Sequence, residues 1–230
     1  TLGFSARQNV LITRVAKPDY VNVFLGRIGA FMMDNKLGDG SGAGEKATIS
    51  SQNWVTGISA LNEWQTRQIA ASIRHHNQLE LLAGTDVFTI PPKVAMEGRN
   101  KLEGNFSSRT HENYDAVVYP SAAEAGIEKF WIVDNNVLSL SERLSENLPS
   151  SGKELVHIAH EEGCADMFPV LSKQEKELIS EGGKIPVYSV WSGKIREGKI
   201  APDTLLTLAG LASFTSDQEK LDQRILGIIG

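Results

Sequence analysis

The chain has 230 residues, of which 41% are hydrophobic and 22% are charged, and its formal net charge is −5. This composition is that of a globular protein, and the negative charge argues against general nucleic-acid binding. Cys164 is the only cysteine, which excludes an intramolecular disulfide, and no apolar run approaches the ~20 residues of a membrane-spanning helix. We therefore expect a cytoplasmic protein that binds neither nucleic acid nor membranes.

The first ninety or so residues alternate between predicted strands and predicted helices. Ser5 and Gln8 fit a capping box, which predicts a helix that runs to about residue 16. Short runs of apolar and β-branched residues predict buried strands, and periodic segments between them predict helices. The order strand, helix, strand, helix, strand predicts a parallel sheet. The strands are predicted over 20–25, 67–73 and 86–90, and the intervening helices over 46–64 and 77–82.

Residues 34–46 contain four glycines and predict a flexible loop at the ligand-facing end of the sheet. The loop differs from a phosphate-binding Walker motif, because Glu45 separates Gly44 from Lys46 and no serine or threonine follows that lysine. We interpret it as the rim of a binding site and not as a nucleotide site.

The sequence changes character at about residue 98. Residues 98–115 are polar and predict irregular structure, and the remainder predicts mostly helix. Two apolar runs, 130–133 and 187–191, fit either a strand or a buried helix. The chain therefore divides into an α/β segment, residues 1–97, and a mostly helical extension, residues 98–230. Helices of the extension are predicted over 136–146, 153–162, 173–181, 202–211 and 216–228. Ser172 and Glu175 fit a capping box at the start of the third of these helices, and Ser216 is predicted to cap the last.

Four segments, in this order, resemble strands of the transaldolase barrel. VNVFLGRI at 21–28, IAASIRHH at 69–76 and LLAGTDVFTIPPKV at 81–94 resemble the sixth, seventh and eighth strands. TLGFS at 1–5 resembles the end of the fifth. On these motifs the chain is identified as a member of the transaldolase family, a group that includes fructose-6-phosphate aldolases. The resemblance implies a (β/α)8 TIM barrel, of which this chain contains only the C-terminal strands.

An eight-stranded barrel takes about 250 residues. Here the third predicted strand ends by residue 90, and Thr1 is not an initiator residue. We therefore expect the upstream half of the same barrel to be a partner of this chain. The alternative is that the C-terminal helices cover the exposed sheet in a truncated fold.

The resemblance implies transfer of a dihydroxyacetone unit from a ketose phosphate to an aldose phosphate, a step of the pentose phosphate pathway. The reaction proceeds through a lysine Schiff base and implies no cofactor and no metal. In the family that lysine lies on the fourth strand, before Thr1, and no lysine here matches it. Lys93 is expected to be a solvated residue of the next helix. An aldolase that releases dihydroxyacetone, a non-catalytic sugar-phosphate-binding fragment and a homo-oligomer all remain open.

Arg27, Ser72 and Arg74 match the phosphate site of the family. Both arginines follow the ends of predicted parallel strands, where α/β folds bind their ligands. Two guanidinium groups and a hydroxyl suit a phosphate monoester. The alternative for either arginine is an ion pair at the end of its strand. His75 and His76 follow at the rim, where they adjust the protonation of the phosphate or have no role.

Other positions match the family individually. Thr1 matches a threonine that holds the catalytic water, with a frayed terminus as the alternative interpretation. Phe24 matches an aromatic residue of the substrate channel, with core packing as the alternative. Asn22 stands where many members have serine, and its amide is still able to bind a sugar hydroxyl. Pro91 replaces a common serine, so that contact is expected to be lost.

His157, His160 and Cys164 have a spacing that a helix would bring to one side, as metal ligands require. The glutamate that follows the first histidine in zinc proteases is absent. We interpret these residues as part of a solvated helix face and expect no metal site.

Overall fold

The computed structural model describes residues 1–62, 64–104 and 106–229. Within these residues the chain forms a small sheet of three strands surrounded by α-helices, with 3₁₀ turns at Pro120–Ala122 and Ile127–Phe130. The strands are β1 (Tyr20–Phe24), β2 (Arg67–Ala71) and β3 (Val87–Phe88). The helices are α1 (Ala6–Ala16), α2 (Leu25–Asp34), α3 (Ala43–Ala60), α4 (Asn77–Leu81), α5 (Pro92–Lys101), α6 (Asn135–Glu146), α7 (Gly152–Glu161), α8 (Lys173–Glu181), α9 (Tyr188–Arg196) and α10 (Pro202–Ile229).

The sheet is parallel, as the sequence predicts, and its strand order is β1-β2-β3. In its register Phe24 lies opposite Ala71, so β1 and β2 end level with each other. Side chains alternate along β1: Val21 and Val23 are fully buried, whereas Asn22 and Phe24 are half-buried on the opposite face. The sheet therefore presents one face to the helices and a second, partly open face.

Residues before α1 run along the side of β1 that is opposite β2. The Phe24 amide donates to the Gly3 carbonyl at 3.3 Å. A Cβ at Gly3 would lie 2.7 Å from the Asn22 carbonyl oxygen, so the two backbones are in close contact. The segment contacts β1 but is not itself a strand, although TLGFS resembles the end of the fifth strand of the family.

Local capping chemistry agrees with the sequence. The Ser5 hydroxyl accepts a hydrogen bond from the Gln8 amide at 3.2 Å, although the Gln8 side chain bonds to the Phe4 amide and not to that of Ser5. Ser172 and Glu175 form a complete capping box at the start of α8. Both caps were predictable because they involve residues only a few positions apart.

Several predicted boundaries were wrong. α3 begins at Ala43, inside the predicted loop, and α5 continues past residue 98 to Lys101. The ambiguous run 187–191 falls largely in α9, whereas the other run, 130–133, is neither strand nor helix, because only Phe130 belongs to a 3₁₀ turn and residues 131–133 are irregular. The two last predicted helices are one helix, α10, because no proline or glycine interrupts the backbone between residues 211 and 216. No helix in the described residues is both long and apolar enough to cross a bilayer.

The main hydrophobic core contains side chains from both parts of the chain. Val23, Ile28 and Phe31 of the α/β segment pack in one buried cluster with Phe130 and Leu206 from the extension. An antiparallel bridge between Gly38 and Val118 adds a backbone connection. A second cluster joins α1 to α6 and α7. The C-terminal helices thus cover the α/β segment and share its core.

A buried ionic network fixes α1 to the start of α10. Arg7 is 1% exposed, and its Nε and Nη2 donate to the two carboxylate oxygens of Asp203 at 2.8 and 2.7 Å. Its Nη1 donates to Asp166 Oδ2 at 2.8 Å, and the Ser5 hydroxyl donates to Asp203 at 2.6 Å. Burial alone would lower the Arg7 pKa, but the attraction and hydrogen bonds of Asp203 and Asp166 raise it above its ordinary value. Arg7 is therefore always charged, and its charge is compensated.

Replacing Asp203 by alanine should strongly destabilise the fold. Arg7 would keep Asp166 but lose its bidentate partner, and breaking a buried pair costs about 3–5 kcal/mol. The free energy of unfolding in urea measures the loss. Glu142→Ala is the control, because it breaks the exposed Arg14–Glu142 pair and should cost less than about 1 kcal/mol. Equal losses in the two variants would show that the buried network contributes no more than a surface ion pair.

Candidate functional site

The candidate site lies where β1 and β2 end. α2 begins at Leu25 directly after β1, so Arg27 lies in the first turn of that helix. β2 ends at Ala71, and Ser72 then turns the chain with a φ of 64°, in the left-handed region. Arg74 follows two residues later. Because the two strands end level, both arginines reach the same edge of the sheet.

Gly26 permits a very close approach between the two segments. A Cβ at this position would lie 2.2 Å from the Ser72 carbonyl oxygen and 2.7 Å from Arg74 Nε. Only glycine fits between them. The structure therefore brings together the three residues that match the phosphate site, Arg27, Ser72 and Arg74.

Arg27 is buried and forms no ion pair with any of the described residues. It is 9% exposed, and its Nη1 has no hydrogen-bond partner among the described residues. Its Cζ lies over the rings of Phe24 at 5.4 Å and Phe214 at 5.0 Å. Burial and then repulsion from Arg74 lower the Arg27 pKa from its ordinary value. The described residues around this guanidinium therefore supply no negative charge to compensate its own.

Arg74 is exposed, but hydrogen bonds from buried side chains hold the turn in which it lies. The Arg74 amide donates to Gln78 Oε1 at 2.7 Å, and Gln78 Nε2 donates to Glu45 Oε1 at 2.7 Å. Gln78 and Glu45 are 9% and 7% exposed. The sequence interpretation missed both residues. The bond between the Arg74 amide and Gln78 joins residues four positions apart, so a local sequence pattern could have predicted it. The bond between Gln78 and Glu45 of α3 joins residues 33 positions apart, and no local pattern predicts it.

Asn22 and Phe24, the two residues predicted to contact substrate, lie on the partly open face of the sheet. Asn22 Oδ1 is buried and lacks a hydrogen-bond partner in the part of the chain that the structure describes. The Phe24 ring contacts Phe4 at 5.6 Å and Phe214 at 6.4 Å between centroids. Phe24 therefore combines core packing with contact to Arg27, and Asn22 offers a free acceptor on the same face.

Other predicted residues lie apart from this arrangement. Thr1 is exposed and has no hydrogen bond within the described residues, and Lys93 is exposed in the first turn of α5. His75 is exposed, and His76 Nδ1 lies 3.7 Å from Glu97. None of these positions gives the site an amine nucleophile.

The three residues with metal-ligand spacing do not converge. His157 is exposed beside Glu161, and His160 Nε2 bonds to the Phe168 carbonyl at 2.8 Å. Cys164 is buried in the α1–α6–α7 core, so the prediction of a solvated face was wrong for the cysteine. Burial, reinforced by nearby carboxylates, raises the Cys164 pKa to about 11. Among the described residues no three His, Cys, Asp or Glu side chains form a group that could hold a metal ion.

The arrangement is suited to an anion. A dianion between Arg27 and Arg74 would relieve their mutual repulsion and supply the missing partner of Arg27 Nη1. The Ser72 hydroxyl adds a neutral donor at the same edge. A phosphate monoester has the charge and the oxygen atoms that this set of donors requires.

Comparison with known proteins identifies the family. A family model described as Transaldolase/Fructose-6-phosphate aldolase matches residues 1–137, more than half of the chain. The chain belongs to this family, whose members are transaldolase-type enzymes of sugar metabolism with a TIM-barrel fold. The match includes the whole sheet and the arginine site, and it extends beyond residue 97 to the start of α6. No curated protein and no solved structure matches the chain.

Inorganic phosphate should stabilise the wild-type chain through Arg27. Binding to the folded state alone adds about 2.7 kcal/mol at a ligand concentration of ~100 times Kd. Arg27→Met should lose this effect. It should also unfold at an equal or higher temperature without phosphate, because it removes a buried unpaired charge. Thermal unfolding in phosphate and in sodium chloride of equal ionic strength measures both effects. The same phosphate-specific shift in both proteins would contradict the anion site.

Proposed function

We propose that the protein containing this chain is a transaldolase, which transfers a dihydroxyacetone unit from a ketose phosphate to an aldose phosphate in the pentose phosphate pathway. In this proposal Arg27, Ser72 and Arg74 bind the phosphate of the sugar. The observation that supports it best is the buried guanidinium of Arg27, which has an unpartnered Nη1 and a second arginine beside it.

The phosphate group lies at the far end of the sugar from the carbonyl that reacts. Charge-assisted hydrogen bonds to it fix the substrate in one orientation, which turns remote binding energy into correct placement of the carbonyl. The free Asn22 Oδ1 would accept a hydrogen bond from a sugar hydroxyl, and the Phe24 ring would form a wall of the channel.

The chemical step requires a lysine amine. The amine attacks the ketose carbonyl, and loss of water forms a Schiff base. The hydroxyl on C4 then loses its proton, the bond between C3 and C4 breaks with its electron pair moving toward the iminium nitrogen, and the remainder of the sugar leaves as an aldose phosphate. The resulting three-carbon enamine attacks the acceptor aldehyde, and hydrolysis releases the product. The iminium is the electron sink, so this chemistry requires no metal or organic cofactor.

We place that lysine upstream of Thr1, on strands that would complete a barrel around the partly open face of the sheet. Thr1 would then help to hold the water that carries protons in the reaction. We expect the enzyme to act in the cytoplasm, with the upstream half of the barrel and the sugar phosphate as its partners, and homo-oligomer formation is compatible with the proposal.

The family description supports a second candidate, a fructose-6-phosphate aldolase that releases free dihydroxyacetone. Both activities would use the same phosphate site. They differ in their need for a second substrate, because an aldolase turns over without an acceptor aldehyde. Turnover of fructose 6-phosphate with and without an aldose phosphate therefore distinguishes them.

Arg27→Ala and Arg74→Ala in the complete protein should each weaken binding of fructose 6-phosphate. Each change removes a charge-assisted contact worth about 1.5–3 kcal/mol, which is roughly a ten- to hundredfold loss of affinity. Binding of unphosphorylated fructose, measured in the same way, should change much less. Equal losses for both sugars would contradict the assignment of these residues to phosphate.

Residues 1–230 alone should form no covalent adduct when mixed with fructose 6-phosphate and borohydride. No lysine of this chain matches the Schiff-base lysine of the family, and an exposed lysine with the ordinary pKa of about 10.4 is almost entirely protonated at pH 7. The chain preceded by its natural upstream segment should gain the mass of the reduced sugar fragment at one lysine before Thr1. Intact mass spectrometry measures both outcomes. A stoichiometric adduct on Lys93, or on any lysine of this chain, would make this chain an aldolase by itself.

A further inference from the structure

The C-terminal helix contacts the arginine site at two positions. Phe214 of α10 lies against Arg27, with its ring centroid 5.0 Å from Cζ, and it also contacts Phe24. Gly210, one turn earlier, faces the same guanidinium. A Cβ at Gly210 would lie 3.1 Å from Arg27 Nη1 and 3.3 Å from Leu2 Cδ2, which is tighter than ordinary packing.

These contacts leave the hydrogen-bonding groups of Arg27 free. A carboxylate beside Arg27 would also orient it, but the carboxylate would occupy the N–H donors and neutralise the charge. Aromatic faces hold a guanidinium through its π surface and use none of its donors. Phe24 and Phe214 together therefore restrict the orientation of Arg27 while its Nη1 remains without a partner.

We infer that Phe214 and Gly210 are positioning residues of the anion site: Phe214 holds the Arg27 guanidinium, and Gly210 leaves room for it. The inference rests on the proposed phosphate-binding function and makes α10 part of that site. The register of α10 is fixed at its start by the bonds from Arg7 to Asp203, about two turns before Gly210 and three before Phe214. An ion pair remote from the site thus determines which α10 residues reach Arg27.

The test is a titration of inorganic phosphate into the full chain, followed by NMR, with four variants. Phe214→Leu keeps an apolar side chain but removes the aromatic face, and Phe214→Tyr restores that face. Gly210→Ala introduces the crowding methyl group. Leu221→Ala is the control, because Leu221 is 51% exposed further along the same helix. Thermal unfolding in phosphate-free buffer verifies that each variant is folded.

Phe214→Leu should weaken phosphate binding by about two- to tenfold, the range of one cation–π contact. Gly210→Ala should also weaken it, whereas Phe214→Tyr and Leu221→Ala should bind with nearly wild-type affinity. In the complete enzyme, Phe214→Leu should raise KM for the sugar phosphate and leave kcat nearly unchanged, a separation that general destabilisation would not produce.

Wild-type phosphate affinity in both Phe214→Leu and Gly210→Ala would overturn the inference and leave the proposed function intact. Weakening by Leu221→Ala equal to that by Phe214→Leu would also overturn it, because the effect would then belong to the helix in general. A wild-type chain that binds no phosphate would overturn the phosphate assignment itself, and this inference with it.

Discussion

The tertiary structure depends on the ionic network of Arg7. This guanidinium is almost fully buried, and two carboxylates from distant parts of the chain accept its hydrogen bonds. Desolvation of three charges is costly, and it is offset only because the geometry is bidentate and the Ser5 hydroxyl adds a further bond. The network fixes the first turn of α10 against α1. Because the start of α10 is fixed, its position along the core is also fixed, and this determines which of its apolar side chains contact the core.

Two arginines, Arg7 and Arg27, are buried in this structure, but their surroundings differ. The donors of Arg7 are occupied by carboxylates, so its charge contributes to the fold. Arg27 is also buried, but its neighbours are aromatic rings and the repelling charge of Arg74. Its Nη1 has no hydrogen-bond partner in the part of the chain that the structure describes. Such uncompensated groups are typical of sites that exchange solvent for a charged ligand.

The sequence allowed prediction of those features that depend on neighbouring residues. The parallel sheet, the Ser5 cap and the Ser172 capping box were all confirmed, because each reflects local periodicity or hydrogen bonding. The resemblance placed both arginines at strand ends, but it did not distinguish the buried Arg27 from the exposed Arg74. That difference arises because α2 starts directly after β1 and because Phe214 approaches from the far end of the chain. The partners of Arg7 could not be predicted from local patterns either, because they lie 159 and 196 residues away along the chain.

The length of that separation has a consequence for how the chain folds during synthesis. As α1 leaves the ribosome, Arg7 has no partner with which to enter the interior, and it must remain hydrated until Asp166 and Asp203 have been translated. The helix and β1 are therefore expected to stay loosely associated through most of translation. A contact between such distant residues also raises the contact order and slows the final collapse, because the chain must close a very large loop before the charges meet.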